Sequence, residues 1–515
     1  MVTTTWMYIG LAVTALYLIV LLGLAEYGSR LTELSVSDYF VASGSLSSFV
    51  VFLTMIASAF SAFTFLGGGG IAYSSGISGI VLVGAVAFID LPALVIIGER
   101  VWRMSKRGND YVTPADLLCD RFGDSSSLRV LIALISIGFT IFYVTIQFTG
   151  MGLVLNVLTE GLISRQLAAV IIGVVMAVYI AIGGMRGVAY SDALQAVLIW
   201  VGLIVVSAHV LWTTPTSVYA RVSETVDYAN QLTMDPLYLY TAAVGFGLSQ
   251  SVWPFIWQRY YSAKRVSGLW GMGFGSSLAA IGLLTFFPMI IAYAGLVAFP
   301  ELSNPDTVIL RYILEMPGPL FGVLMAAAVA AAMSTADSMI LMMGSIGARD
   351  VYSELVGTSY SEKTLSRYSK VLSGIFGVVA LGISLLDLGL LVEIAIDLAV
   401  PGYALLVPPA LAAFFWPRAN WQGSVAGLTT GLIVLLYYNV ADAAVPLGLW
   451  IGVPGLVVCT VVMIGVSLAT EKPDSERVQE FVYDFRDRDL SDLEGTYQER
   501  REEVSGEGRE EVSGD

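Results

Sequence analysis

The chain has 515 residues, of which 56% are hydrophobic and only 13% charged, with a mean hydropathy of +0.77. An average soluble domain carries about 25% charged residues, so a water-soluble fold of this size lacks its polar surface here and the bilayer is the solvent that suits the composition. Net charge is −15, but residues 471–515 alone hold 16 acidic and 7 basic residues, so the acidity belongs mainly to one tail and says little about a ligand.

A helix needs about 20 apolar residues to cross the hydrocarbon core. Thirteen stretches meet that need, at approximately 5–25, 46–72, 77–98, 128–157, 165–184, 188–212, 238–258, 268–299, 318–346, 368–387, 389–416, 422–440 and 446–469. The first lacks a basic leader and a small-residue cleavage site, so it reads as a retained span. Runs this long exclude a barrel, whose strands alternate over about ten residues. With the N-terminus outside, an odd span count puts the tail in the cytoplasm. Sixteen basic residues then fall in inner loops, Arg259 among them. Only Arg165, Arg221 and Arg311 fall outside.

The second span contains Gly67-Gly68-Gly69-Gly70, and the seventh reads Val244-Gly-Phe-Gly-Leu-Ser-Gln-Ser-Val-Trp-Pro254. Glycine costs about 1 kcal/mol relative to alanine inside a helix, so both stretches predict an unwound segment, with close helix packing as the alternative. The breaks lie five spans apart. Spans 2–6 and 7–11 are then two halves of inverted orientation, each opening with a broken helix, the pattern that points to a transporter's central site.

The ninth span carries Ser334, Thr335, Asp337 and Ser338 within five residues. Ser334, Asp337 and Ser338 share one helical face, and hydroxyl, carboxylate and bared carbonyl oxygens suit a hard alkali cation. The span interiors show no lysine or arginine, so the acids Asp90, Asp192, Asp337, Glu393 and Asp397 are expected to need a cation, a proton or a cap. Asp192 sits about one turn inside the sixth span's cytoplasmic entrance, on an inner exit route. One histidine, His209, two distant cysteines, Cys119 and Cys459, and no nucleotide-binding loop leave neither a catalytic cluster nor an ATP engine, so the chain is not expected to be an enzyme. The tail ends in a twice-repeated Arg-Glu-Glu-Val-Ser-Gly from Arg501, which is given no fold.

Ala57-Ser-Ala-Phe-Ser-Ala-Phe-Thr-Phe-Leu-Gly67, Gly183-Gly with Ser191-Asp192 and Gln195, Pro254 with Arg259, and Ala331-Ala-Met-Ser-Thr-Ala-Asp-Ser338 occur in this order. In them the chain resembles the sodium:solute symporter family. The resemblance implies an all-α integral membrane fold of about 13 transmembrane helices, a leucine-transporter-type five-plus-five inverted repeat with one extra helix before and two after. Residues 1–37 would be the first helix and loop. Residues 38–417 would be the core, with halves at about 38–212 and 238–416. Residues 418–470 would hold two further helices, and 471–515 an acidic cytoplasmic tail. It implies sodium on the carbonyls of Ala57, Phe60 and Ala331 and the hydroxyls of Ser334 and Thr335. Asp192, Asp337 and Ser338, with Ser334, match a second cation site of some members. Ser61 and Thr64 match positions that contact substrate; Phe246, Gln250 and Gln147 are further candidates by their place in the spans. Gly44 and Ala59 depart from the pattern of resembling proline carriers. The expected activity is sodium-coupled uptake of a small organic solute across the plasma membrane, with lipid but no nucleic acid as partner. Proton coupling on the same fold and a transporter-fold sensor are the alternatives.

Overall fold

The computed structural model describes residues 4–486 and 493, apart from 32–35, 108–109, 124, 272–274, 276–281, 357–360, 387 and 442. Among the described residues every regular element is helical, and the one extended pairing is an isolated bridge between Leu46 and Ala263. Eight helices are long and apolar enough to cross a membrane: α1 (Thr4–Arg30), α4 (Phe63–Ser105), α6 (Ser126–Leu158), α7 (Arg165–Thr213), α13 (Gly318–Val356), α15 (Leu391–Phe415), α16 (Trp421–Val440) and α17 (Gly452–Ala469). Between them lie α2 (Val36–Val41), α3 (Ser48–Ala59), α5 (Pro114–Phe122), α8 (Thr216–Thr225), α9 (Pro236–Gln250), α10 (Pro254–Ser262), α11 (Phe287–Ala298), α12 (Val308–Leu314) and α14 (Glu362–Ser384).

α7 has 49 residues. A straight helix of that length would run about 74 Å, more than twice a hydrocarbon core of about 30 Å. It bends at Gly184, whose φ of 53° and ψ of −155° leave the helical region. α4 bends likewise at Gly76, with φ 55°. A β-carbon at either site would drive into a neighbour, the Tyr39 ring at Gly184 and the Ala229 backbone at Gly76, so only glycine fits these turns. Both bends fall where the hydropathy pattern divides spans, between 72 and 77 and between 184 and 188.

α13 is the innermost long helix. Every residue from Leu324 to Ile346 is buried, including a run of small residues, Ala326–Ala328 and Ala330–Ala332, that lets neighbours approach closely. α1 lies along α7 and α13, with Gly28 against Gly187 and Gly10 against Phe321. α3 leans on α7 and α13, which brings the site's donors together.

The start of the tail has structure the sequence did not suggest. Phe481 is buried and stacks on Phe414, with ring centroids 6.3 Å apart. The Arg107 guanidinium donates to the carbonyls of Glu480 and Asp484 at 3.2 and 2.7 Å, and Arg477 pairs with Asp120 at 2.9 Å. The repeat from Arg501 lies outside the described residues.

Candidate functional site

α3 opens with the Ser47 hydroxyl accepting from the Val50 N–H and runs to Ala59. At Phe60 the backbone leaves the helix, with φ −100° and ψ 85°, and winding resumes after Ser61. A helix end leaves its last carbonyls without intrahelical donors. Here α13 answers them. The Ser334 hydroxyl lies 2.9 Å from the Ala57 carbonyl, 3.4 Å from that of Phe60 and 3.2 Å from that of Ala331. The Thr335 hydroxyl donates to the Ser58 carbonyl at 3.0 Å. Ser334 has one hydroxyl proton and three carbonyls around it, so acceptor capacity there exceeds donor capacity. These oxygens converge at the C-terminal, negative end of the α3 dipole. Ala57, Phe60, Ala331 and Ser334, four of the five residues expected to hold sodium, therefore come together, while Thr335 engages the Ser58 carbonyl, which the sequence reading had not named.

The break itself is not where the tetraglycine predicts it. Gly67 and Gly68 have helical angles (φ −65° and −60°), and Phe63–Gly67 forms a widened turn leading into regular helix. These glycines serve close packing. A β-carbon at Gly69 would touch Val308, and one at Gly70 would collide with Asp306. The opening instead falls at Phe60–Ser61, where no glycine marks it. The protein offsets its cost with side chains. The Gln147 amide oxygen accepts from the Ala62 N–H at 2.9 Å, and the Ser61 hydroxyl accepts from the Phe63 N–H at 3.1 Å.

The seventh span breaks as its proline predicts. α9 ends at Gln250, Ser251–Trp253 lie outside the helix, and Pro254 opens α10. Gly245 and Gly247 stay helical and admit the Trp450 and Ile89 side chains. Trp253 is the centre of an aromatic cluster: Phe246 stacks on it at 6.0 Å, Tyr403 lies at 5.0 Å and Tyr143 at 5.2 Å. Phe63, just beyond the first break, reaches Phe246 at 6.0 Å. The rings thus join the two breaks.

One turn along α13 from Ser334 lies the second oxygen set. Arg259, counted above with the inner loops, is fully buried there. Its Nη2 is 3.3 Å from the Asp192 carboxylate, 3.1 Å from the Ser58 hydroxyl and 3.4 Å from that of Thr54, and it donates to the Ser338 hydroxyl. Asp192 also accepts from the Thr54 hydroxyl. Asp337 accepts from the Tyr179 hydroxyl, and from the Ser338 N–H at 2.6 Å. The expectation that the intramembrane acids lack basic partners is therefore wrong for Asp192. α10 runs on into the protein past Pro254 and carries Arg259 inward with it.

Of the expected solute contacts, Ser61, Thr64, Gln147 and Phe246 are buried at or beside the breaks. Both polar ends of Gln147 are engaged by the backbone, its Nε2 donating to the Tyr143 carbonyl at 3.3 Å. Gln250 is partly buried, and its carbonyl accepts from the Trp253 N–H at 3.2 Å. Trp253, Tyr143 and Tyr403 were missed, and Arg259, named with Pro254 in the resemblance, was given no role at the site. The signal for Trp253 was its place directly before Pro254 in a broken span. Cys119 and Cys459 are buried and in no disulfide, their thiols on the Ser125 and Leu405 carbonyls, and no cluster of three metal-ligating side chains occurs among the described residues.

The profile of the sodium:solute symporter family matches residues 39–431. Among curated proteins, the chain is 26% identical to the sodium/pantothenate symporter of Escherichia coli, over 81% of this chain and 87% of that protein. It is 25% identical to the sodium/proline symporter of Haemophilus influenzae, over 87% and 92%, and 24% identical to the monocarboxylic acid transporter of Corynebacterium glutamicum, over 67% and 68%. A solved Na+-coupled sialic acid symporter in a substrate-bound, outward-open state shares the fold, with a TM-score of 0.77 at 19% identity over 90% of this chain and 99% of that one.

Proposed function

The chain belongs to the sodium:solute symporter family, and from that premise we propose that it takes up a small organic solute with one sodium ion per cycle by alternating access. It is a membrane transport protein whose coupling ion is sodium. We read the core as two inverted five-helix halves within about thirteen spans, with the N-terminus outside. The bends at Gly76 and Gly184 support this count, because each turns one long helix into two crossings.

One observation carries the reading of the ion site. A single hydroxyl, Ser334, faces the Ala57 and Phe60 carbonyls where α3 unwinds and the Ala331 carbonyl of its own helix. A sodium ion held by Ala57, Phe60, Ala331, Ser334 and Thr335 would satisfy every one of those oxygens and tie α3 to α13. The second oxygen set already contains a cation. The Arg259 guanidinium sits among Asp192, Ser58 and Ser338, which supports one sodium rather than two and speaks against a proton carried on Asp192.

The solute would lie between the breaks, against Trp253, Phe246 and Tyr143, with Ser61 and Thr64 at its edge. The cluster presents rings and hydroxyls, and the Arg259 guanidinium lies behind Phe255 and is engaged with Asp192, so a small, modestly polar solute with an apolar face fits better than a multiply charged one. Sodium on α3 and α13 would stabilise the conformation in which the solute site is formed, and solute would reciprocally raise sodium affinity. A membrane potential adds about 2.3 kcal/mol per charge per 100 mV.

The test is uptake into proteoliposomes from a panel of amino acids, monocarboxylates and vitamins, under an imposed sodium gradient at fixed pH or an imposed pH gradient without sodium. Accumulation driven by sodium alone is expected. Accumulation driven by the pH gradient alone would refute sodium coupling at this site.

A further inference from the structure

A crevice of about 620 Å³, counting its open mouth, lies between α6, α7, α13 and α14. Phe148, Val174, Ala177, Ile340, Val378 and Leu381 make its walls apolar. Glycines line it too; Gly173 draws α7 onto Phe148 of α6, but the two that α14 contributes do not act in that way. A β-carbon at Gly374 would meet nothing within 4 Å, and one at Gly377 only Ile340 at 3.6 Å. Among the described residues, no side chain fills the space beside these positions.

One end is charged. The Lys370 ammonium lies 4.6 Å from the centre of the Tyr39 ring, and the Tyr39 hydroxyl is engaged on the Ile180 carbonyl at 3.0 Å. Lys363 and Arg367 are exposed earlier on the same helix. The lining runs from Lys370 to Leu381, which is about 16 Å along α14 at 1.5 Å per residue. That is close to half of a hydrocarbon core of about 30 Å. An apolar slot one leaflet deep with a cation at its mouth matches a lipid, with its chain in the slot and its phosphate on the lysine.

We propose that the Lys370 crevice is a binding site for one acyl chain of an anionic phospholipid. In the orientation proposed above it would be a lipid of the cytoplasmic leaflet. The site itself depends only on the protein's being embedded, so its failure would leave the sodium and solute readings untouched.

Native mass spectrometry of the purified protein, titrated with phosphatidylglycerol or phosphatidylcholine of the same chains, tests it. The wild type is expected to retain one phosphatidylglycerol about fivefold better than phosphatidylcholine, a ratio in keeping with one cation meeting an anionic headgroup. Lys370→Ala should erase that preference while keeping the chain. Gly374→Leu, which has room for its side chain, should lose both lipids while melting within a few degrees of wild type. Equal retention of the two lipids by the wild type, or unchanged retention by Gly374→Leu, would overturn the proposal. Displacement of the lipid by inorganic phosphate alone would do so too, because it would mark a soluble-anion site.

Discussion

The two broken helices solve the same problem in opposite ways. Where α3 ends, its freed carbonyls are met from another helix, by single hydroxyls of Ser334 and Thr335 that are outnumbered by acceptors. Where α9 ends, the freed groups are met locally. The Ser251 carbonyl accepts from the Trp257 indole N–H at 3.0 Å, and the Val252 N–H donates to Ser249 at 3.0 Å. The first break is left acceptor-rich and the second self-satisfied and walled with rings. An acceptor-rich gap suits a cation and a ringed one suits the body of an organic solute, and the proposed sites rest on that contrast.

Arg259 binds the two regions together, and removing it should have the largest effect. It lies on α10, beyond the second break, and reaches Thr54 and Ser58 on α3 and Asp192 on α7. Arg259→Ala leaves a carboxylate buried without its cation, a loss of about 3–5 kcal/mol. Thermal unfolding of the purified protein should show it, and Arg259→Ala with Asp192→Asn should recover much of it. Failure of the double variant to recover would break the pairing of these groups.

The contrast sharpens at Trp253. Trp253→Ala empties the ring cluster and should cost about 3–5 kcal/mol by cavity formation. Trp253→Phe keeps an aromatic wall and is the cleaner probe. It should weaken solute binding while leaving the half-activating sodium concentration unchanged, as read by calorimetry with each ligand. An equal shift for both ligands would erase the division of labour.

Gln147 tests the first break from its other side. Gln147→Ala leaves the buried Ala62 N–H without its acceptor, a loss of about 1–3 kcal/mol. Gln147→Glu keeps an acceptor and should melt closer to wild type. If both variants melt alike, the amide does not hold the break.

The smallest effect concerns the loop before α12 that packs on α4. Asp306 lies against Gly70, and its Oδ2 accepts from the Leu391 N–H at 3.0 Å. Burial pushes its carboxyl up to about 6, with the Glu393 charge adding to the rise and the Leu391 N–H opposing it. An acid raised in the folded state holds its proton more tightly there. Its ionisation thus destabilises the fold progressively as pH rises from about 4, the unfolded value, to about 6. Asp306→Asn keeps an oxygen for Leu391 and should flatten that part of the stability profile, shifting Tm by a few degrees at pH 7. An unaltered pH profile would remove Asp306 from the account.

Much of this was legible in the sequence, for physical reasons that also explain the failures. Long apolar runs declare spans, and Pro254 declares a break because it cannot donate into a helix. The oxygen cluster on α13 stood out because such groups are expensive inside apolar helices. The tetraglycine misled, because glycine is used both to unwind a helix and to let a neighbour close in, and composition does not separate the two. The opening at Phe60 had no mark in the residues around it, and only the resemblance pointed to its carbonyl, since the residues that support it, Gln147 and Ser334, lie some 85 and 274 positions away. Arg259 was misplaced because counting charges by loop assumes that a cation near a span's end faces water.

The most direct test is the sodium dependence of Ser334→Ala and Thr335→Ala, measured as the sodium concentration that half-activates solute uptake in proteoliposomes. A rise of at least about tenfold is expected in each, equivalent to about 1.4 kcal/mol of ion binding, with melting in the absence of sodium changed by no more than a few degrees. Unchanged half-activation in both variants would contradict the claim that the opened end of α3 and the hydroxyls of α13 hold the ion.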